Sequence, residues 1–576
     1  MSSHWYKMAA LGFIIGALLI STAAGQAPLQ LGSGNTATAD PPVGRPDTTP
    51  CVVQLFSNVG PLNTTPVPFS FTPPSDCPPP WSKVIVSADY SVNAGHQNDR
   101  TTSIWIGATN ILYGSAMEPD PTTGRNWHVE RDVTDYSALF TKPQPGAFTV
   151  LTAVTKKNPS IISGTASLLF FPSSASARPA ATPDVVLPLS ADPVLGGQVA
   201  VFGTQALSGT FVMPTNVERA FVDVIVRNAG SASDEFYYLC VPDPVIAQQL
   251  LTCPGTSFRE AEISIDGQPA GVAPAFPRIT EGSIDPFLWR PIPGLLALNF
   301  LPYRVDITPF AGLLSDGNPH EIAVSVVNAN PFTLNGAVLL FLDHGASQVS
   351  GGIELNTLGS PAPVTEQNVS TADGTTSGTF DVRSKREFTI RGFVNTSHGK
   401  VVTEISQTVS FANDQQFSIA GSSFTQDVKE TVAIDSVTRI KSGGSQRDGN
   451  AEQVTVQKAE FPMTVDLTFT TNPDGTHTQT TAIQEHHNQS VLSTNPVNDV
   501  FFRFTKTAAA MQDTLSLSPT FSILGNQDQS SSQSFFTRSS ERNCFSRQIN
   551  AAAGLLESVQ DGKSCPANAG RPKSLR

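Results

Sequence analysis

The sequence predicts an all-β protein: two tandem jelly-roll or β-sandwich modules followed by a third antiparallel β domain. Three observations predict it. Runs of β-branched and aromatic residues recur along the chain between turn residues, and 43 Gly and 45 Pro in 576 residues supply the turns. Two long stretches look like copies of each other. Beyond about Thr365 the composition shifts to Thr, Ser and Gln, in strands that alternate polar with apolar positions and so predict a sheet with one wet face. The length itself exceeds what one hydrophobic core can serve.

Residues 1–25 read as an export signal: Lys7 closes a positive start, 8–20 form an apolar run, and "STAAGQ" offers small residues for a cut near Gly25. The run is short for a membrane span, so secretion is the expectation and an uncleaved signal-anchor the lesser alternative. Residues 26–50, with "TADPPVGRPDTTP", lack hydrophobic periodicity and predict an extended linker. The first module spans 51–172, with strands in "KVIVSADYSV", "TSIWIGATNILYG" and "GAFTVLTAVT". A Pro/Ser/Ala-rich linker, 173–186, separates it from the second module, 187–350, with strands in "RAFVDVIVRN", "EAEISIDGQ", "HEIAVSVVNA" and "GAVLLFLDH". A linker at 351–364 leads into the C-terminal β domain, 365–576. There "LGNQDQSSSQSFFTRSSERN" reads as a loop or irregular hairpin, and the tail after Cys565 as disordered.

The two modules share landmarks. "DVTDYSALF" from Asp132 precedes a Pro/Gly turn and a strand, as "DITPFAGLL" from Asp306 does in the second module. Upstream, Arg100, Ile104 and Ile106 match Arg259, Ile263 and Ile265. Such a duplication implies two related sandwiches. Where the first copy has Asp99 before its arginine, the second has Phe258, so the carboxylate is not demanded by the shared fold.

The balance of 35 basic against 48 acidic residues, net −13, argues against nucleic acid as a partner. The six cysteines fall into three local couples, Cys51 with Cys77, Cys240 with Cys253 and Cys544 with Cys565, which read as structural staples of an exported chain. Sequons at Asn63, Asn368, Asn395 and Asn488 are candidate glycan acceptors. No GxSxG, P-loop or HExxH motif occurs. His477, His486 and His487 read as solvated loop histidines, and neither a metal nor a cofactor is expected. What remains is carboxylates near aromatic rings: Asp99 with Arg100 ahead of an exposed-looking Trp105, Glu118, then Trp127, Glu130 and Asp132, and Asp234 with Glu235. Carboxylates move protons, and Trp rings make floors for sugars. Each also has a bland reading, as loop salt bridge, solvated strand residue or turn cap; for Asp132 the duplication favours the cap.

The stretches "DRTTSIWIGATNILYGSAMEPDPTTGRNWHVERDVTDYSALF", "SDEFYY", "FREAEISIDGQPAGVAPAFPRITEGSIDPFLWRPIPG" and "YRVDITPFAGLLSDGNPHEIAVSVVNA" closely resemble the peptide:N-glycosidase A family of plants and fungi. Shorter similarity reaches the bacterial peptide:N-glycosidase F, which has two adjacent jelly rolls with the active site between them. The resemblance implies hydrolysis of the amide joining an N-glycan's first N-acetylglucosamine to asparagine, on N-glycopeptides or unfolded glycoproteins, with no cofactor and no obligatory membrane partner. It implies Asp99 as the base that polarises water, Arg100 as the group that keeps it ionised, and Glu235 as a second acidic group. Arg100, Trp105, Glu118 and Trp127 become candidates for substrate binding. A third carboxylate of the bacterial relative falls near Ala153, so this chain lacks it there. Two rivals remain: a lectin-like sandwich that binds without cutting, and a glycoside hydrolase that would leave a sugar on the asparagine. The implied destination is the extracellular space, cell wall or vacuole.

Overall fold

The computed structural model describes residues 29–565, apart from 97–99, 152, 180, 191, 193–198, 229–234, 281, 444–449, 495–499 and 541–542. The first module is two four-stranded antiparallel sheets. One orders Cys51–Val59, Ile162–Pro172, Trp81–Val92 and Arg125–Asp132; the other orders Val67–Phe71, Gln144–Val150, Thr101–Ile106 and Thr109–Ser115. Numbered along the module these are 1-8-3-6 and 2-7-4-5, the strand order of a jelly roll.

The second module repeats that order strand for strand. Its sheets are Val199–Gly203, Ala329–Leu342, Val217–Asn228, Tyr303–Asp306, and Ala206–Val212, Pro319–Val327, Glu260–Ile265, Gln268–Pro274. The duplication seen in the sequence is therefore a duplication of topology. Its landmarks do equivalent work: Asp132 Oδ1 accepts from Thr134 N at 3.0 Å, and Asp306 Oδ1 accepts from Thr308 N at 2.9 Å. Each aspartate caps the turn that leaves the sixth strand, which is why the motif occurs twice.

The two jelly rolls share a buried seam. Leu298, Ala337 and Leu339 of the second belong to the core cluster of the first. Chain 297–300 runs along the edge strand Thr109–Ser115, with Ser115 N on Ala297 O at 2.7 Å and Phe300 N on Tyr113 O at 2.8 Å. Arg131 donates to Asn299 Oδ1 and to Phe300 O at 2.9 Å, and Arg304 pairs with Asp223 at 2.7 Å and Asp135 at 2.6 Å.

The C-terminal part is one eleven-stranded meander, with strands of up to 22 residues. One face of it packs on the second jelly roll: Val428, Ile434, Val465, Ile483 and Met511 join a single cluster with Ala261, Ile263 and Phe332. The Phe276 and Phe461 rings stack across this contact at 4.4 Å. A sheet this long has one layer and takes the jelly roll as the other.

Several expectations need correction. The 26–50 segment is no free linker. From residue 29 it lacks regular structure yet is docked: Ala37 and Ala39 are buried, Ala37 N donates to Pro291 O at 3.0 Å, and Arg45 pairs with Glu130. The 173–186 linker ends in a strand, Val185–Pro188, that pairs with Ala329–Leu342. The second module's end and the 351–364 linker contain the strand Ser350–Asn356, which opens the C-terminal sheet beside Thr375–Thr396. "LGNQDQSSSQSFF" is not a loop but most of the strand Ile523–Ser539. Its inward Gln529 and Gln533 are buried because they meet backbone rather than an apolar core: Gln533 accepts from Ala39 N and Gln529 donates to Arg290 O at 2.7 Å. His477 and His487 are not solvated loop residues; they lie on the strand His477–Thr494 against Phe469, Phe521 and Phe461. Disulfides join Cys240 to Cys253 and Cys544 to Cys565, while Cys51 and Cys77 are neighbouring thiols, with Cys77 Sγ 3.6 Å from Phe170 O. Residues 1–25 and the tail after 565 lie outside the described residues.

The contact between sheet and jelly roll is rich in buried carboxyls. Asp285, in the loop after Gln268–Pro274, meets Asp513 of the strand Val500–Leu517, and burial pushes both upward. Burial also raises Glu430, which accepts from Asn413 Nδ2 at 2.9 Å, to about 8, and Glu485, which accepts from Leu295 N at 2.9 Å, to about 7. An unfolded carboxyl titrates at about 4. The folded chain therefore keeps protons that the unfolded chain has released; the stabilisation is full below about pH 4 and lost as pH rises through these folded values. The thermal midpoint should be several degrees higher at pH 5 than at pH 8.5, and Asp285→Asn, which cannot lose a proton, should narrow the difference. An equal midpoint at both pH values would contradict this.

Candidate active site

The strand Thr101–Ile106 begins one residue after Arg100, and Asp99 falls outside the described residues. The guanidinium of Arg100 is buried and donates to Ser160 O and, at 3.2 Å, to Asn158 O. Its counterpart Arg259 donates to Thr256 O at 2.7 Å and Phe258 O at 2.9 Å. In both jelly rolls, then, this arginine ties loop carbonyls to the mouth of the fourth strand. The described partners of Arg100 make it an architectural cation first.

Glu118 enters beside that mouth from a segment clamped on both sides. Ala116 N donates to Arg100 O at 2.9 Å, Pro119 O accepts from Arg290 at 3.0 Å, and Asp120 binds Arg290 with one oxygen and Arg125 with the other. Burial raises the Glu118 carboxyl to about 7; Arg290 and Arg100 pull it back, and Glu235 pushes it further up. A carboxyl in this setting holds its proton in mild acid and gives it up near neutrality.

Glu235 comes from the other jelly roll, after the strand Val217–Asn228. Ser283 Oγ donates to its Oε1 at 2.5 Å and Thr280 Oγ1 at 3.4 Å, while Asn228 Nδ2 holds its backbone oxygen at 2.7 Å. Trp289 Nε1 secures the Ser283 carbonyl at 2.9 Å. The C-terminal sheet steadies the next turn: Asn413, Gln426 and Gln415 donate to the carbonyls of Tyr238, Leu239 and Cys240 at 3.0, 2.9 and 2.9 Å. The site thus brings Glu118 and Glu235, from different jelly rolls, together with Arg100 and Arg290.

Two expected sugar platforms are not there. Trp105 is 2% exposed and Trp127 5%. Trp105 Nε1 donates to Ser103 Oγ at 3.0 Å, and Trp127 stacks on Tyr90 at 5.4 Å inside the first core. The strand carrying Trp105 is buried on both faces, so its alternation does not mark a solvent side. Glu130 is likewise enclosed, against Arg45 and His128. The residues missed from sequence are Asp120, Arg290, Thr280 and Ser283. Arg290 stands in "FLWRPIP", but its partner Asp120 is 170 positions away. Of the sequons, Asn63, Asn368 and Asn395 are exposed and Asn488 is half-buried.

Asp120 neutralises two arginines that are themselves almost enclosed, and removing it strands both. Asp120→Ala should cost about 3 kcal/mol of stability, read as a lower denaturant midpoint at unchanged slope. Loss below about 0.5 kcal/mol would mean the bridge is a surface pair.

Residues 41–340 match the family described as Peptide N-acetyl-beta-D-glucosaminyl asparaginase amidase A. A similar curated protein is the Peptide-N4-(N-acetyl-beta-glucosaminyl)asparagine amidase A of Prunus dulcis, 30% identical over 393 residues that make up 65% of this chain and 67% of the relative. Among solved structures, a peptide-N(4)-(N-acetyl-beta-D-glucosaminyl) asparagine amidase is 14% identical with a TM-score of 0.33, over 51% of this chain and 96% of that one. PNGase F, a glycosylasparaginase from Flavobacterium meningosepticum, is 14% identical with a TM-score of 0.32 over the same shares. With more than half of its residues matched, both jelly rolls included, the chain belongs to the peptide N-acetyl-β-D-glucosaminyl asparaginase amidase A family.

Proposed function

We propose that this protein hydrolyses the amide between asparagine and the proximal N-acetylglucosamine of N-glycopeptides, leaving aspartate on the peptide and a glycosylamine that then loses ammonia. Membership of the amidase family supports the reaction. The observation that carries it to this site is the meeting of Glu118 and Glu235, one from each jelly roll, beside the strand mouth where Asp99 joins Arg100. In this reading Asp99 takes a proton from water as the water attacks the side-chain carbonyl. Glu235, oriented by Ser283 and Thr280, binds that water or the proximal sugar. Glu118, still protonated below about pH 7, hands its proton to the departing nitrogen, so one proton is taken and one given in each turnover.

The substrates in this reading are short N-glycopeptides or unfolded glycoproteins, because folded glycoproteins cover the amide. Export through the 1–25 segment suits such a role. Among the described residues no helix is long and apolar enough to cross a membrane.

The reaction is tested by incubating wild type and Asp99→Asn with an N-glycopeptide in heavy-oxygen water and weighing the peptide. Wild type should yield aspartate carrying the heavy oxygen, and the variant should not. Asparagine bearing one sugar would mean a glycoside hydrolase; intact glycopeptide retained on the protein would mean a lectin. For Glu118, kcat of the wild type should fall as pH rises through about 7. Glu118→Gln should be slower by about 10²-fold in mild acid and lose that dependence. A variant with the wild-type pH profile would remove Glu118 from the proton path.

A further inference from the structure

Two residues beyond Glu118, at Asp120, the chain borders a recess. Its volume is about 480 Å³, within the range of small-molecule sites. Asp120, Arg125 and Arg290 form one wall, the Phe287 ring lies beside Arg290 at 5.0 Å, and Gln527 and Asp528 of the C-terminal sheet form the opposite rim. Asp120 is two residues from Glu118, at most ~7 Å along the chain, so the recess continues the site rather than standing apart from it.

The rim is built by an irregularity in an otherwise regular strand. Along Ile523–Ser539 the pairing passes from Ser530 with Gln512 to Gln527 with Thr514, so Asp528 and Gln529 leave the ladder. Asp528 takes a left-handed conformation, φ 60°. A bulge of this kind re-aims side chains. Gln529 turns inward and anchors, donating to Arg290 O at 2.7 Å and accepting from Gly554 N at 2.7 Å. Gln527 and Asp528 are exposed at the recess. Across from them the Nε groups of Arg125 and Arg290 have no partner among the described residues, although both residues are more than nine-tenths buried.

We infer that this recess is a glycan subsite, taking neutral sugars of the N-glycan beyond the one at the scissile amide, and that the C-terminal sheet confers it through Gln527 and Asp528. The inference rests on the amidase reading. An extended peptide would be recognised by free backbone groups on a sheet edge. At 526 and 527 the ladder to Leu515 and Thr514 occupies one side of the strand, and the side chains at the recess decide between the two. The groups on offer are a side-chain amide, a carboxylate and an aromatic ring, which suit the hydroxyls and the C–H face of a sugar.

The test pairs Gln527→Ala with Asp528→Gly, since glycine tolerates the left-handed position. One peptide is prepared twice, carrying a single N-acetylglucosamine or a complete N-glycan. The double variant should raise KM about tenfold for the full glycan, leave KM for the single sugar unchanged, and leave kcat unchanged on both. Equal loss on both substrates, no loss on either, or a loss that follows peptide length would overturn the proposal. A free mannose-rich oligosaccharide titrated into the full chain keeps the two readings separable: if wild type cleaves neither peptide, the amidase reading fails, yet weakened oligosaccharide binding in the variant still upholds the subsite. Equal binding by both proteins refutes it.

Discussion

The structure hangs on Asp120. One half-buried carboxylate accepts from two nearly enclosed arginines, Arg125 of its own jelly roll and Arg290 of the other. Charges withdrawn from water this far are tolerable only when matched, so the bridge holds the two jelly rolls at one separation. The same few residues recruit everything else. The carbonyl of Arg290 takes Gln529 from the C-terminal sheet, that of Pro291 takes Ala37 from the N-terminal strap, and Arg125 reaches Gly34. Glu118 sits two residues from this junction, so the position of its carboxyl is set by all parts of the chain at once.

The duplicated jelly rolls separate architecture from chemistry. Arg100 and Arg259 both bind loop carbonyls, and Asp132 and Asp306 both cap the turn after the sixth strand. These residues recur because the fold needs them twice. Asp99 against Phe258 breaks the symmetry. Glu118 and Glu235 come from different places in their respective jelly rolls, one in the loop after the fifth strand and one after the third, and feel each other's charge only because the modules pack side by side. A site made this way needs a rigid seam, which Arg131 with Asn299 and Arg304 with Asp135 supply.

The long C-terminal sheet is more than a cover. Its inward amides at Asn413, Gln415 and Gln426 grip the carbonyls of 238–240, within a few residues of Glu235, and its Glu485 receives the Leu295 amide. These contacts are polar because they meet loop backbone, whose groups must be satisfied once water is excluded. Where carboxyls take part, the contact becomes sensitive to pH and favours acid, the same range in which Glu118 keeps its proton.

The sequence by itself determined the all-β class, the two tandem modules and their duplication, and the disulfides of Cys240 with Cys253 and Cys544 with Cys565; Glu118 and Glu235 stood in it among several carboxylates near aromatic rings, not as a pair. All of these are local: strand alternation, turn residues and repeated motifs are written within a few positions of one another. Tertiary structure alone decided that Trp105 and Trp127 are core residues, since alternation names two faces without saying which one stays wet, and here both are covered. It alone turned a Gln/Ser-rich stretch into the strand Ile523–Ser539, whose polar inward side is explained by the strap and loop backbone it binds. And it alone joined Asp120 to Arg290, because an ion pair between positions 170 residues apart depends on how two sandwiches dock, and docking leaves no periodic mark in either loop.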